Sequence, residues 1–413
     1  MTPVVYVHVG APKSGTTYLQ NVMWHNRDVL AGHGLLYPGD EPSAHVWAAF
    51  DLRGAFFDGH DDPVTRGAWA RMVEEIRAWD GPAALISQEL LSAATPAHVA
   101  RALADLGFAE VHLVYTARDL ARQIPAHWQE DVKNRLTMTF GEFVTGLRDP
   151  GAARSRWVRE FWRMQDAAAV LERWGEGPAG RIPPERVHVV TLPPPGAPTE
   201  LLLERFCAVL GVDPSGLDTS QVFANPSLGV AETELIRRIN LATRGSVEWP
   251  VHDVFVKHDL AQSVLTARKG ATRIRLPETY LPWVLERSRR LAGALREAGY
   301  RVEGDLDELL PAPANPPAAS DPGRVPEEEV LDAAVDALAQ LLRQCAFHRR
   351  EDPGEAGSAD LMEEQVALLS EAAGDLVEMS VSPVKKAVRT LSERNRLVMS
   401  ARVAYWRLAE TRK

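Results

Sequence analysis

The chain has 413 residues and only two cysteines, Cys207 and Cys345, which lie far apart in the sequence. That scarcity excludes a disulfide framework and fits a reducing compartment. No cluster of Cys and His has metal-ligand spacing, so no metal is expected. Positive net charge is also missing. The formal balance is −10, so no global field gathers nucleic acid or an anionic nucleotide, and any anion site has to be built locally. No apolar run reaches ~18 residues. The first residues lead into a strand without a basic leader, and a cytoplasmic chain is the expectation. Internal repeats are absent. What remains is ordinary globular composition, 45% hydrophobic and 25% charged, in a chain longer than one comfortable domain.

The stretch that organises this composition is the first turn after the first strand. Val4-Val5-Tyr6-Val7-His8-Val9 is apolar and β-branched, the pattern of a buried strand. Gly10-Ala11-Pro12-Lys13-Ser14-Gly15-Thr16-Thr17 follows, and a helical period starts at once with Tyr18, Leu19, Val22 and Met23. Strand, glycine loop and helix N-terminus together bind phosphate, because backbone N–H groups and the helix dipole both favour an anion. Gly10 and Gly15 have the spacing of a Walker A loop, but Thr16 stands where that loop carries its lysine. The lysine is inside the loop, at Lys13. There it can supply positive charge without a metal.

Further strands are predicted at 83–87, 111–116 and 187–192, with helices near 66–79, from Pro96, from Ala117, at 139–148, 155–174, 199–210, 230–243, 278–298, 327–347 and 359–378. Residues 40–62 read as an irregular loop carrying His45 and His60. Strands alternating with helices imply parallel βαβ units under helices on both faces. Ligands of such sheets sit at the carboxyl ends of the strands, where Lys13, Glu89 and Arg118 all fall. The expected organisation is a domain over 1–305, a Pro-rich linker over 306–326 and a helical C-terminal extension over 327–413. The last helix, near 383–410, carries Val384, Val388, Leu391, Val398, Tyr405 and Ala409 on a 4-3 step interrupted by Asn395 and Arg402. From Lys385 to Lys413 nine Lys/Arg oppose two Glu. This helix is expected either to belong to a small helical appendage that packs on itself or on a second subunit, or to lie on a membrane surface.

Pro-Lys-Ser-Gly-Thr-Thr at Pro12–Thr17, directly after an N-terminal strand, resembles the 5′-phosphosulfate loop of the soluble bacterial type of P-loop sulfotransferases. The resemblance implies a three-layer P-loop fold with a central parallel sheet. It also implies transfer of a sulfuryl group from 3′-phosphoadenosine 5′-phosphosulfate (PAPS) to a hydroxyl or amine of a small-molecule or glycan acceptor. Lys13, Ser14, Gly15, Thr16 and Thr17 would then hold the phosphosulfate, and Arg118 the 3′-phosphate. The family's serine eight residues beyond that arginine is Ala126 here, so Arg122 is a candidate to compensate. Arg268-Lys269-Gly270 is similar to the family's C-terminal phosphate clamp, without the Gly-Asp-Trp that often follows it. The acceptor base would be Glu89, closing a strand, or His45. Two other readings stand beside this one. A kinase-type P-loop predicts a lysine directly before the final hydroxyl and an aspartate closing a strand, whereas the strands close on Glu89 and Ala117-Arg118. A non-catalytic nucleotide-binding or scaffold protein is the third reading, resting on the missing serine.

Overall fold

The computed structural model describes residues 2–54, 62–151, 154–177, 180–220, 227–311 and 322–351, with side chains of the last helix described to Arg343. His60 and the helices expected at 359–378 and 383–410 lie outside these residues. The chain forms two compact units, Met1–Val230 with Ala271–Arg324 and Ala231–Gly270 with Val325–Lys413.

The first unit is built on β1 (Val4–His8), whose Val5 and Val7 are buried in the middle of a six-stranded sheet. Its other strands are β2 (Leu35–Leu36), β3 (Ala83–Ser87), β4 (Glu110–Ala117), β7 (Val187–Thr191) and β8 (Arg301–Glu303), in the order β2-β3-β1-β4-β7-β8. Every pairing is parallel. β5 (Glu176–Gly177) and β6 (Gly180–Arg181) make a separate antiparallel ribbon. A parallel sheet needs cover on both faces, and strand alternation supplies it. Val5, Val7, Ile86, Leu113 and Val189 join one buried cluster, and Leu85, Val114 and Val190 the other.

Helices α1 (Thr16–His25) and α2 (Arg27–Gly32) connect β1 to β2. α3 (Ala44–Arg53) and α4 (Ala68–Ala78) precede β3, and α5 (Pro96–Asp105) precedes β4. α6 (Leu120–Lys133), α7 (Phe140–Arg148), α8 (Arg156–Gln165) and α9 (Ala167–Gly175) follow β4, and α10 (Leu201–Leu210) follows β7. Sequence signals fix several starts. Thr95 caps α5 in a capping box behind Pro96, Thr139 caps α7 with Glu142, and Asp119 caps α6. The single helix expected over 155–174 is two, because Asp166 ends α8 and accepts from Ala169 N to cap α9.

Two expectations change. Residues 40–62 are not a continuous loop, since 44–53 form α3. Its buried side is made by His45, Ala48, Ala49, Phe50 and Leu52, so a histidine and two alanines hide the apolar period. The first unit also runs past 305. A 3₁₀ turn, Leu306–Leu309, is capped by Asp305 and buries both its leucines, and Glu308 pairs with Arg205 at 2.7 Å. The start of the expected linker is therefore folded, and 312–321 lie outside the described residues.

The second unit takes most of α11 (Val230–Ala242), α12 (Trp249–Val251) continuing into a π-helix His252–Val264, and α14 (Glu327–Glu351). α13 (Leu281–Glu297) belongs to the first unit.

Candidate functional site

The strand order places a switch point beside β1. The chain leaves β1 for β2 and β3 on one side, while β4 pairs on the other and leads on to β7. Connections that part in opposite directions open a crevice at the carboxyl ends of the strands between them. The loops after β1 and β4 border it.

The loop after β1 is stitched to β4 before it turns. Val9 N donates to Val114 O at 2.9 Å, Ala11 N to Thr116 O at 3.0 Å, and Thr116 N to Gly10 O at 2.6 Å. Gly10 has φ 140°, and a Cβ there would come within 3.1 Å of Ser92 Cβ, so only glycine fits. Lys13 adopts φ 65° and Gly15 φ 84°. A left-handed non-glycine residue costs about 1 kcal/mol and has to be held by its surroundings. Arg118 Nη1 donates to the Lys13 carbonyl at 2.8 Å. Gln165 Nε2 donates to the Pro12 carbonyl at 3.0 Å, and Gln123 donates to it as well. The turn ends on Gly15 and opens α1 with no side-chain cap and no acidic residue in its first turn. Its first N–H groups take no side-chain cap, an arrangement that together with the positive dipole end could receive an anion.

Beneath the loop runs a buried polar chain that the sequence pattern did not reveal. His8 bonds Ser87 Oγ through Nδ1 at 2.8 Å and Thr116 Oγ1 through Nε2 at 3.2 Å. Thr116 Oγ1 meets Ser14 Oγ at 2.5 Å and donates to Gly10 O at 3.0 Å. Ser14 Oγ is the donor in its contact with Thr116, and it shares its single proton with Ala11 O, also at 2.5 Å. Burial holds the His8 imidazole neutral, lowering its pKa to about 3 against a backbone bond at Gly10. The chain joins β3, β1 and β4 to the loop. Its sequence signal was a polar residue at or next to the last position of three strands, read only as strand ends.

The charged residues divide into two groups. Lys13 Nζ pairs with Glu130 Oε2 at 3.0 Å, and the same oxygen takes Lys133 at 2.7 Å. Arg122, Ala126 and Glu130 share one half-buried face of α6 at intervals of four residues. One turn beyond the alanine, Glu130 thus reaches the loop lysine. Arg118 is crowded. Burial first, then the charges of Arg122 and Arg273, bring its pKa down to about 10, with Asp119 opposing. Its Nε is buried and finds no acceptor among the described residues. Arg273 is exposed on a short bridge to Gly229.

Other candidates are committed elsewhere. Arg122 is bound by Asp119 and donates to Pro193 O at 3.0 Å, fastening α6 to the segment after β7. Arg268 lies in the second unit, bound by Glu232 and by Asp336 at 2.9 Å, with Lys269 and Gly270 exposed beside it. His45 is buried, and its Nδ1 accepts from Ser87 N at 3.1 Å. Its Nε2 therefore carries the proton and donates to Pro38 O at 2.8 Å. The ring stacks on Tyr37, and burial lowers its pKa to about 4. A base needs the lone pair that His45 gives to the backbone. Glu89 opens the turn after β3 and accepts from Gln20 Nε2 at 2.8 Å. Only one of its carboxylate oxygens takes that bond, and the side chain is half-buried.

The chain matches no known family, no curated protein and no solved structure. Among the described residues no group of three or more His, Cys, Asp or Glu could hold a metal ion, and no helix is long and apolar enough to cross a membrane.

Proposed function

We propose that this chain is a PAPS-dependent sulfotransferase with a P-loop fold, moving a sulfuryl group to a hydroxyl or amine of a carbohydrate or small metabolite. The observation that carries the reading is the Lys13 loop. A lysine is fixed in a left-handed turn, ahead of an uncapped helix N-terminus, with Arg118 bonded to its carbonyl. The N–H groups from Ser14 to Thr17 would receive the 5′-phosphosulfate. Lys13 would face the oxygen that gains charge as the phosphate leaves, where electrostatic stabilisation contributes most to rate. Arg118, with an unmet Nε–H and like charges around it, suits a dianionic phosphate. Exposed Arg273 is its second cation, in place of Arg122 and Arg268, which the protein's own groups occupy. Glu89 would take the acceptor proton.

The test is calorimetry with 3′-phosphoadenosine 5′-phosphate and with ATP, each with and without magnesium. The expected result is tight, magnesium-independent binding of the bisphosphate alone, weakened at least tenfold by Arg118→Ala. Lys13→Ala should abolish transfer to any acceptor found with labelled PAPS while leaving the circular dichroism unchanged. Preference for magnesium-ATP would overturn the reading in favour of a kinase, and binding of neither nucleotide would overturn both.

A further inference from the structure

Among the described residues of the second unit, an apolar stripe on α14 is partly exposed. α14 buries Val330, Ala333 and Ala337 and packs against the His252–Val264 helix. On the neighbouring side Leu331, Val335, Leu338 and Leu342 follow the 4-3-4 step of a coiled-coil seam. Leu338 is 46% and Leu342 64% exposed. At the N-terminal end of this stripe Glu328, Glu329 and Asp332 are exposed and make no ion pair among the described residues. An apolar row of this kind, bordered by acid, is the half of an interface that a basic amphipathic segment completes.

The chain carries such a segment. Val384, Val388, Leu391, Val398, Tyr405 and Ala409 have the same 4-3 step, and nine Lys/Arg against two Glu accompany them. We propose that the α14 stripe is the docking face for this chain's own segment 384–409, apolar row on apolar row and basic residues toward the acidic end. The connection is long enough. α14 has 25 residues, about 37 Å at 1.5 Å per residue, and residues 352–383 reach about 100 Å when extended. A tethered segment meets its site at an effective concentration on the order of millimolar, well above that of a second copy at micromolar protein. Pairing of α14 with a parallel α14 would set acidic turn against acidic turn, which like charges oppose.

The full-length chain is treated with trypsin, and cleavage between Lys385 and Arg407 is followed by mass spectrometry. Wild type should be cut at least tenfold more slowly than Leu338→Asp/Leu342→Asp. Both substituted positions are exposed, so the fold is kept, and unchanged circular dichroism checks it. Val388→Asp/Leu391→Asp should speed cleavage equally, approaching from the other partner. Equal rates in wild type and variants would overturn the proposal, because the segment would then lie elsewhere. A wild-type dimer by light scattering that the Leu338/Leu342 variant dissolves would overturn it in favour of a second copy. Vesicles of anionic lipid that bind wild type as tightly as the variant would overturn it in favour of a membrane surface.

Discussion

Lys13 is bound to a carboxylate on its own protein, and that bond sets how strongly it can serve an anion. The pair with Glu130 is about a quarter exposed on either side, so it contributes at most about 1 kcal/mol after solvent screening. An anion at the α1 N-terminus has to draw Lys13 away from that carboxylate. Glu130→Gln removes the competing charge and leaves an amide of the same shape. The expected outcome is binding of 3′-phosphoadenosine 5′-phosphate about three- to fivefold tighter, read by titration at low salt, with the gain shrinking as salt rises. Weaker binding in this variant would show instead that Glu130 aims Lys13 at the site. Lys13 stood out in the sequence because its loop is local, whereas Glu130 reaches it across 117 positions. Its address becomes readable only once β4 and α6 are laid beside β1.

At the scale of elements, the four longer strands of the sheet were legible to within a residue or two. Buried parallel strands are short apolar runs with abrupt ends, and each ends here in a turn or a cap. β8 was not legible, because three residues, Arg301-Val302-Glu303, carry no period. It is held by what surrounds it. Gly304 follows at φ 112°, and a Cβ there would collide with Thr191 Oγ1 and with the Arg205 guanidinium. Arg205 donates to the Thr191 carbonyl at 2.8 Å and to Glu308 at 2.7 and 2.9 Å, locking β7, β8 and the turn at 306–309 together. Gly304→Ala therefore combines a left-handed strain with a steric clash at an ion pair. It should lower unfolding free energy by at least about 2 kcal/mol. The loss should appear in a urea titration as a lower midpoint with an unchanged slope. A midpoint within experimental error of wild type would mean that the sheet edge at β8 does not depend on this glycine.

At the scale of the molecule, buried neutral histidines set the acid limit of the fold. Burial lowers His8 to about 3 and His45 to about 4, and both rings are fully committed to hydrogen bonds at the ends of β1 and β3. His127, buried under the loop and bonded to Gln165 at 3.1 Å, is lowered to about 4. An unfolded histidine titrates near 6.5. Above that pH neither state binds the proton, and these groups add no pH dependence. Between about 6.5 and 4 the unfolded chain takes up protons that the folded chain refuses, so stability falls as pH falls. Each of the three costs about 2 kcal/mol at pH 5, from a total that is typically only 5–15 kcal/mol. Asp131, pushed up by burial in the same helix, takes a proton in the folded state first and offsets part of the loss. Glu234 and Glu308, which burial pushes up but their arginine partners hold low on balance, lose their stabilisation only below their unfolded pKa near 4.5. The interval between pH 6.5 and 5 therefore reports the histidines less the part that Asp131 gives back. Urea unfolding should give equal free energies at pH 8 and 7 and a value lower by several kcal/mol at pH 5. The same free energy at pH 7 and pH 5 would mean that these rings admit the proton, and with it that the hydrogen-bonded chain from Ser87 through His8 to the Lys13 loop opens without cost.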